Sequence, residues 1–268
     1  MRVPDGQTVK ALSGVFATAG DAAFYRSSQI DSADGRSFVA LSDDYAKDKR
    51  AAYYCDDYRD GKEYFSIKHT RVVKIAGADA ASFRFLAYKY ARDTANVYFG
   101  GERFVVADIA SFELLDYLYA RDHVSGYYLQ QPVPGSDGRT FAAVDSHYSK
   151  DATHVFYSEI SSTEEESRNV MKTTRIPGAQ PASFKALDDG YAADSAQLYY
   201  QGKVLSEAKS PLQVLSFGYA KSGEHVYHRG ESVKGADPSS FATSSSPTSE
   251  VDATDAGGRY LNGKRVKH

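Results

Sequence analysis

The sequence predicts a mainly β fold built as a tandem array of about eight units, and three observations carry that expectation. First, a phrase recurs: YARDTANVYFGGERF at 90–104 and YARDHVSGYYL at 119–129 keep one spacing. Second, each copy carries two bulky residues at a fixed distance from its start. Third, the chain has 21 Tyr and 14 Phe, and rings of this kind pack well on a pleated surface.

With the first Tyr of YARD as position zero, copies start near Phe16, Tyr45, Tyr90, Tyr119, Tyr148, Tyr191, Tyr219 and, in degenerate form, Asp252. Positions eight and nine hold Phe24 and Tyr25, Tyr53 and Tyr54, Tyr98 and Phe99, Tyr127 and Tyr128, Phe156 and Tyr157, Tyr199 and Tyr200, Tyr227 and His228, and Tyr260 and Leu261. Position three is Asp in six copies: Asp48, Asp93, Asp122, Asp151, Asp194 and Asp255. Seven residues before the start stands Phe38, Phe83, Phe112, Phe141, Phe184 or Leu212. Successive starts lie 29, 45, 29, 29, 43, 28 and 33 residues apart, so the basic length is 29 and two copies carry long insertions. A period of this size marks a repeat architecture.

Each element of the unit follows in order. Tyr90–Asp93 and Val97–Phe99 are two short extended runs, joined by a polar turn in which Asp accepts hydrogen bonds from its own following backbone. Gly100-Gly101, Gln201-Gly202 and Asn262-Gly263 then form two-residue turns favouring positive φ, and a third strand follows. In Asp79–Phe83, Asp108–Phe112 and Asp237–Phe241 the Asp caps a single helical turn, with Pro238 at a first helical position, and the Phe plugs that turn onto the sheet. The expected unit is therefore a three-stranded antiparallel β unit with a short helical turn. ASFELLDYLYA at 110–120 reads, in register, as such a turn and a strand rather than a helix. SSSPTSE at 244–250 reads as a loop before a closing strand in GRYLNGKRVKH.

Adjacent aromatics such as Tyr127 and Tyr128 point to opposite faces of a strand, and one small unit cannot bury both. Stacked copies do, each supplying half of its neighbour's core. The expectation is one repeat domain over 1–268, a curved or elongated array. A closed β-propeller-like arrangement is the alternative, disfavoured because blades use four strands and roughly 40 residues or more.

Composition bounds the function. With 42% apolar and 25% charged residues and a net charge of −3, the chain is neither a disordered acidic tail nor a basic nucleic-acid binder. Cys55 is its one cysteine, which excludes a disulfide framework, a tetrathiolate zinc site and a CxxC motif, and suits a reducing compartment. MRVPDGQTVKALSGVF interrupts any apolar run of secretory type, and no stretch reaches transmembrane length. The expected location is cytoplasmic, with periplasm or cell envelope as the alternative if a signal sequence was removed.

Candidate chemistry is sparse. His154 and His225 occupy position six, where other copies carry Asn96, Ser125 and Gln197, so they read as turn residues. His225 and His228 form an HxxH without an obvious third ligand. One Asp per turn is not the dense oxygen spacing of a calcium loop. GxSxG, HExxH and GxxxxGK[ST] do not occur, and nothing in the spacing brings Cys55 to a histidine. The chain is therefore expected to be no enzyme and to need no metal or cofactor.

Repeat proteins acquire function where they depart from their own rule. The first insertion, CDDYRDGKEYFSIKHT at 55–70, carries Asp56, Asp57, Tyr58, Asp60, Glu63 and Tyr64; the second, SEISSTEEESRNVM at 158–171, carries Glu164, Glu165 and Glu166. Both interrupt the same connection, just after the paired aromatics, so both should project from equivalent edges of their units. The plain reading is a longer hairpin with a solvated tip. The functional reading is an acidic, aromatic-bearing surface that steers a basic protein partner.

The pattern Y-A-K/R-D-x-x-x-V-Y-Y-x-G-K followed by A-D-x-x-S-F, as in YAKDKRAAYY at 45–54 and YAADSAQLYYQGKV at 191–204, resembles the DKNYY family of bacterial repeat proteins across nearly the whole chain. Ala19 and Ser222 in place of the Asp, and the missing Tyr at Asp252, depart from it as atypical terminal copies do. The resemblance implies a non-catalytic binding protein, since related sequences occur among cell-envelope proteins and among immunity proteins that accompany toxins. The expected function is an immunity protein that neutralises a cognate toxin by occlusion, a nuclease effector and type VI secretion being the context so implied. It would be a monomer when free, with no nucleic-acid or membrane partner. The alternative is a cell-envelope structural or glycan- or protein-binding array.

Overall fold

The structure, a computed structural model, describes residues 8–59, 61, 65, 67–162, 169–205, 211–247 and 250–266. The repeat resolves into eight four-stranded sheets, each a meander with its strands bonded in chain order. The second sheet runs Val39–Ala40, Tyr45–Lys47, Ala52–Tyr58, His69–Lys74, and the sixth runs Lys185–Ala186, Tyr191–Ala193, Leu198–Tyr200, Lys203–Val204. The unit thus has four strands, not the expected three. The additional strand lies between the marker Phe and the starting Tyr, for example Arg84–Ala87 after Phe83. In most copies it is two residues long, too short to show a period of two in sequence.

The expected helical turn before the marker Phe is a hydrogen-bonded turn instead. Asp79 Oδ1 accepts the Ala81 amide at 3.1 Å, the capping contact foreseen, but the chain extends at once into a strand. The 3-10 turns Asp188–Gly190 and Ser216–Gly218 sit elsewhere, directly before Tyr191 and Tyr219. Among the described residues no helix is long and apolar enough to cross a membrane.

The chain divides into two compact units, Met1–Tyr117 and Leu118–His268. In the first, Phe16, Tyr25, Phe38, Tyr53 and Cys55 fill the layer between the first and second sheets. Tyr45, Tyr54, Phe83 and Tyr98 fill the next layer, with Phe83 5.5 Å from Tyr98 and Tyr45 5.1 Å from Tyr54 between ring centroids. Tyr53 and Tyr54 therefore face opposite layers, as strand alternation requires. The second unit repeats the scheme: Tyr148, Tyr157, Phe184 and Tyr199 form one layer, Tyr191, Leu198 and Tyr227 another, Tyr219, Phe241 and Tyr260 a third.

Three polar devices hold the layers in register. The position-three Asp is a hub: Asp48 Oδ1 accepts the amides of Arg50 at 2.6 Å and Ala51 at 2.8 Å, while Oδ2 accepts the Asp34 amide at 2.7 Å and the Tyr53 hydroxyl at 2.9 Å. Asp93 and Asp194 repeat all four bonds. The starting Tyr reaches the following sheet. Tyr45 donates to Lys89 O at 2.9 Å and accepts the Gly101 amide at 3.1 Å, and Tyr148 and Tyr191 do the same with Gly190 and Gly202, and Gly218 and Gly230. The turn glycine completes the joint, since a Cβ on Gly101, at φ 83°, would lie 2.7 Å from Tyr54 Cβ.

Candidate functional site

In an antiparallel meander the first-to-second and third-to-fourth connections leave one end of the sheet and the second-to-third connection leaves the other. Where the copy carries it, the Asp hub occupies the latter end, and in Asp48, Asp93 and Asp194 its carboxylate is engaged internally. Both insertions leave the former end, as expected: they lengthen the third-to-fourth hairpin into Ala52–Tyr58 with His69–Lys74, and Val155–Ser162 with Asn169–Arg175. Amide bonds from Cys55 to Asp44 O at 2.8 Å and from Ser158 to His147 O at 2.7 Å tie each hairpin to the first-to-second turn beside it.

In the first hairpin the register sets Asp56 opposite Arg71, Asp57 opposite Thr70 and Tyr58 opposite His69. Asp56 accepts Arg71 Nε at 2.8 Å and Nη2 at 2.7 Å and the Tyr54 hydroxyl at 3.0 Å, with Lys89 Nζ 4.0 Å away. Asp57 meets Arg26 Nε at 2.6 Å, Lys68 Nζ at 2.8 Å and Thr70 Oγ1 at 3.1 Å. Burial opposes ionisation of both carboxyls, but these partners outweigh it and hold each below the usual carboxylate range. Asp56 and Asp57, read from the sequence as part of an acidic partner-binding surface, are thus paired with cations of this chain. Period-two alternation places Arg71 on the same face as Asp56, and the two neutralise each other across the hairpin.

Tyr58 does reach the surface, 45% exposed, and stacks on His69 at 5.3 Å. Asp60, Glu63, Tyr64, Glu164, Glu165 and Glu166 lie outside the described residues. In the second hairpin Ser158 is buried against Thr173, Oγ to Oγ1 2.9 Å.

The same end carries aromatics that sequence reasoning passed over. Tyr88 and Tyr117, in the first unit, are 55% and 53% exposed, with ring centroids 5.9 Å apart in an edge-to-face pair. In the second unit Phe217 is 40% exposed. All three stand two residues before a starting Tyr, where other copies have Gly14, Asp43, Ser146 and Asp189. That contrast with ordinary turn formers was the available signal. Tyr88 and Phe217 also adopt positive φ, 53° and 61°.

The histidine pair is structural. His225 and His228 lie in the strand His225–His228 rather than a turn, and His228 takes the place of a position-nine aromatic, 4.6 Å from the Tyr219 ring. Burial, helped by Arg229, pushes its pKa down. Cys55 is fully buried, and burial foremost raises its thiol to about 12, so it is no nucleophile in the folded chain. Among the described residues no three His, Cys, Asp or Glu side chains gather as a metal site.

The DKNYY family model matches residues 103–160, which include the starts at Tyr119 and Tyr148. No curated protein and no solved structure matches the chain.

Proposed function

We propose that this chain is a non-catalytic protein-binding scaffold, and specifically an immunity protein that neutralises a cognate toxin by occluding its active cleft or substrate path. The observation that carries the binding reading is the asymmetry between the two ends of the sheets. One end carries the Asp turns, whose carboxylates are engaged by turn amides and tyrosine hydroxyls, as at Asp48, Asp93 and Asp194. The other bears both long hairpins and the exposed rings of Tyr58, Tyr88, Tyr117 and Phe217. Within each unit, stacked sheets with irregular, aromatic-bearing projections suit recognition of a folded protein, in which Tyr is a frequent anchor. The toxin comes from the resemblance to DKNYY proteins, and a basic surface on it would complement the acidic residues of the two insertions.

The test is capture from the native bacterium, followed by identification of the captured protein and assay of its toxicity with and without this chain. A second bait carries Asp60, Glu63 and Glu164 to Glu166 changed to Lys, leaving the internally paired Asp56 and Asp57 intact. A toxin that is captured, neutralised, and released by the charge reversal supports the reading. Failure to protect cells from any toxin encoded beside the chain refutes it.

A further inference from the structure

From the arrangement around Tyr88 we infer that the Tyr88–Tyr117 edge of the first unit docks an arginine-bearing segment of a basic protein partner; this rests on the protein-binding reading above and names the surface that performs it. Tyr88 opens a two-residue hairpin turn, Ala87 pairing with Tyr90 across it, at φ 53°. That left-handed conformation favours Gly, Asn or Asp; the copy at Asp189 obeys the preference at φ 55°, while Phe217 at φ 61° shares the departure. A tyrosine there carries a backbone cost, and more than half of the residue is exposed. Burial therefore gives no packing reason for the ring, and the local rule is broken without a gain inside the fold.

The partner's chemistry follows from what surrounds the pair. Tyr117 meets Tyr88 edge to face at 63°, and the two half-exposed residues leave ring surface open to a third planar group. Within electrostatic reach of Lys89, the residue after Tyr88, the turn of the second sheet presents Asp44, half-buried, with Asp43, exposed, before it. The cation at hand is Lys89, which is shared between Asp44 and Asp56. Burial raises the Asp44 pKa first, and the neighbouring Asp56 and Asp43 raise it further against the opposing effect of Lys89. With Asp56 already paired to Arg71, Asp43 and Asp44 together outweigh Lys89, so the segment that carries Tyr88 faces an excess of negative charge. Guanidinium answers both features, since it stacks on a ring face while its donors reach carboxylates in the same plane.

The probe is a fluorescein-labelled hexa-arginine peptide, with hexaglutamate as the control, titrated with the full chain at low salt and read by anisotropy. Hexa-arginine is expected to bind, and the pair Tyr88→Gly with Tyr117→Ala to weaken it about tenfold, whereas Tyr88→Phe with Tyr117→Phe keeps most of the affinity because the rings remain. Tyr88→Gly relieves the positive φ, so the single variant should melt no lower than the parent while losing affinity. Unchanged affinity in Tyr88→Gly, or equal binding of hexaglutamate, overturns the inference. Toxin capture undiminished by Tyr88→Gly with Tyr117→Ala overturns this surface and leaves the immunity reading standing. Ring-dependent hexa-arginine binding by a chain that neutralises no toxin does the reverse.

Discussion

Replacing Asp93 by Ala removes one hub and tests the account of what holds the layers together. Asp93, 2% exposed, accepts the amides of Asp79 at 3.0 Å, Ala95 at 2.7 Å and Asn96 at 2.6 Å and the Tyr98 hydroxyl at 2.8 Å. The three amides lie in partly buried turns that water can reach, so each loses roughly 0.5–1 kcal/mol. The Tyr98 hydroxyl is in the core and retains its desolvation penalty, about 1–3 kcal/mol. The expected loss is about 3–5 kcal/mol, a large share of the 5–15 kcal/mol (roughly) that stabilises a typical domain. Urea unfolding followed by far- and near-ultraviolet circular dichroism measures it, coincident transitions being required before a two-state value is taken. Tyr98→Phe alone should cost about 1 kcal/mol, yet in the Asp93→Ala background it should be neutral or stabilising, because it deletes a hydroxyl that has lost its carboxylate. A cost below about 1 kcal/mol for Asp93→Ala, or the same Tyr98→Phe cost in both backgrounds, would refute the hub.

Further outcomes follow from the same contacts. Burial opposes ionisation of Asp48, Asp93 and Asp194, but their hydrogen bonds prevail and lower each pKa; their contribution is therefore complete above the unfolded value, near 4, and is lost as pH falls through the folded values. Acid titration of stability should show this limb, and Asp93→Ala should reduce it. Gly101→Ala combines a positive φ with a 2.7 Å clash and should cost about 2–4 kcal/mol by urea midpoint, whereas Gly77→Ala, at φ 72° with open space around it, should cost only about 1–2 kcal/mol. Cys55 should resist maleimide in the folded chain and react at the rate of unfolding. His228, facing Arg229, Glu231 and Asp252, has its pKa lowered by burial first; stability should be full above about 6.5 and decline toward the folded value, and His228→Phe should remove that slope.

The repeat, its length and the opposite facing of Tyr53 and Tyr54 were all legible in the linear chain. Each depends only on spacing and on the alternation of a strand, which are local properties. So was the Asp turn, whose amide donors lie two and three residues ahead of it. The fourth strand was not legible, because two residues carry no periodicity and are recruited by a ladder already formed on the neighbouring strand. Nor was the state of Asp56 and Asp57. Their partners Arg71, Lys68 and Arg26 are brought there by hairpin register and by stacking of one sheet on the next, both set by contacts distant in sequence. The Tyr88 and Tyr117 pair belongs to the same class. Sequence displays two departures from a turn rule 29 residues apart, and only the stacking of successive copies turns them into one exposed aromatic surface.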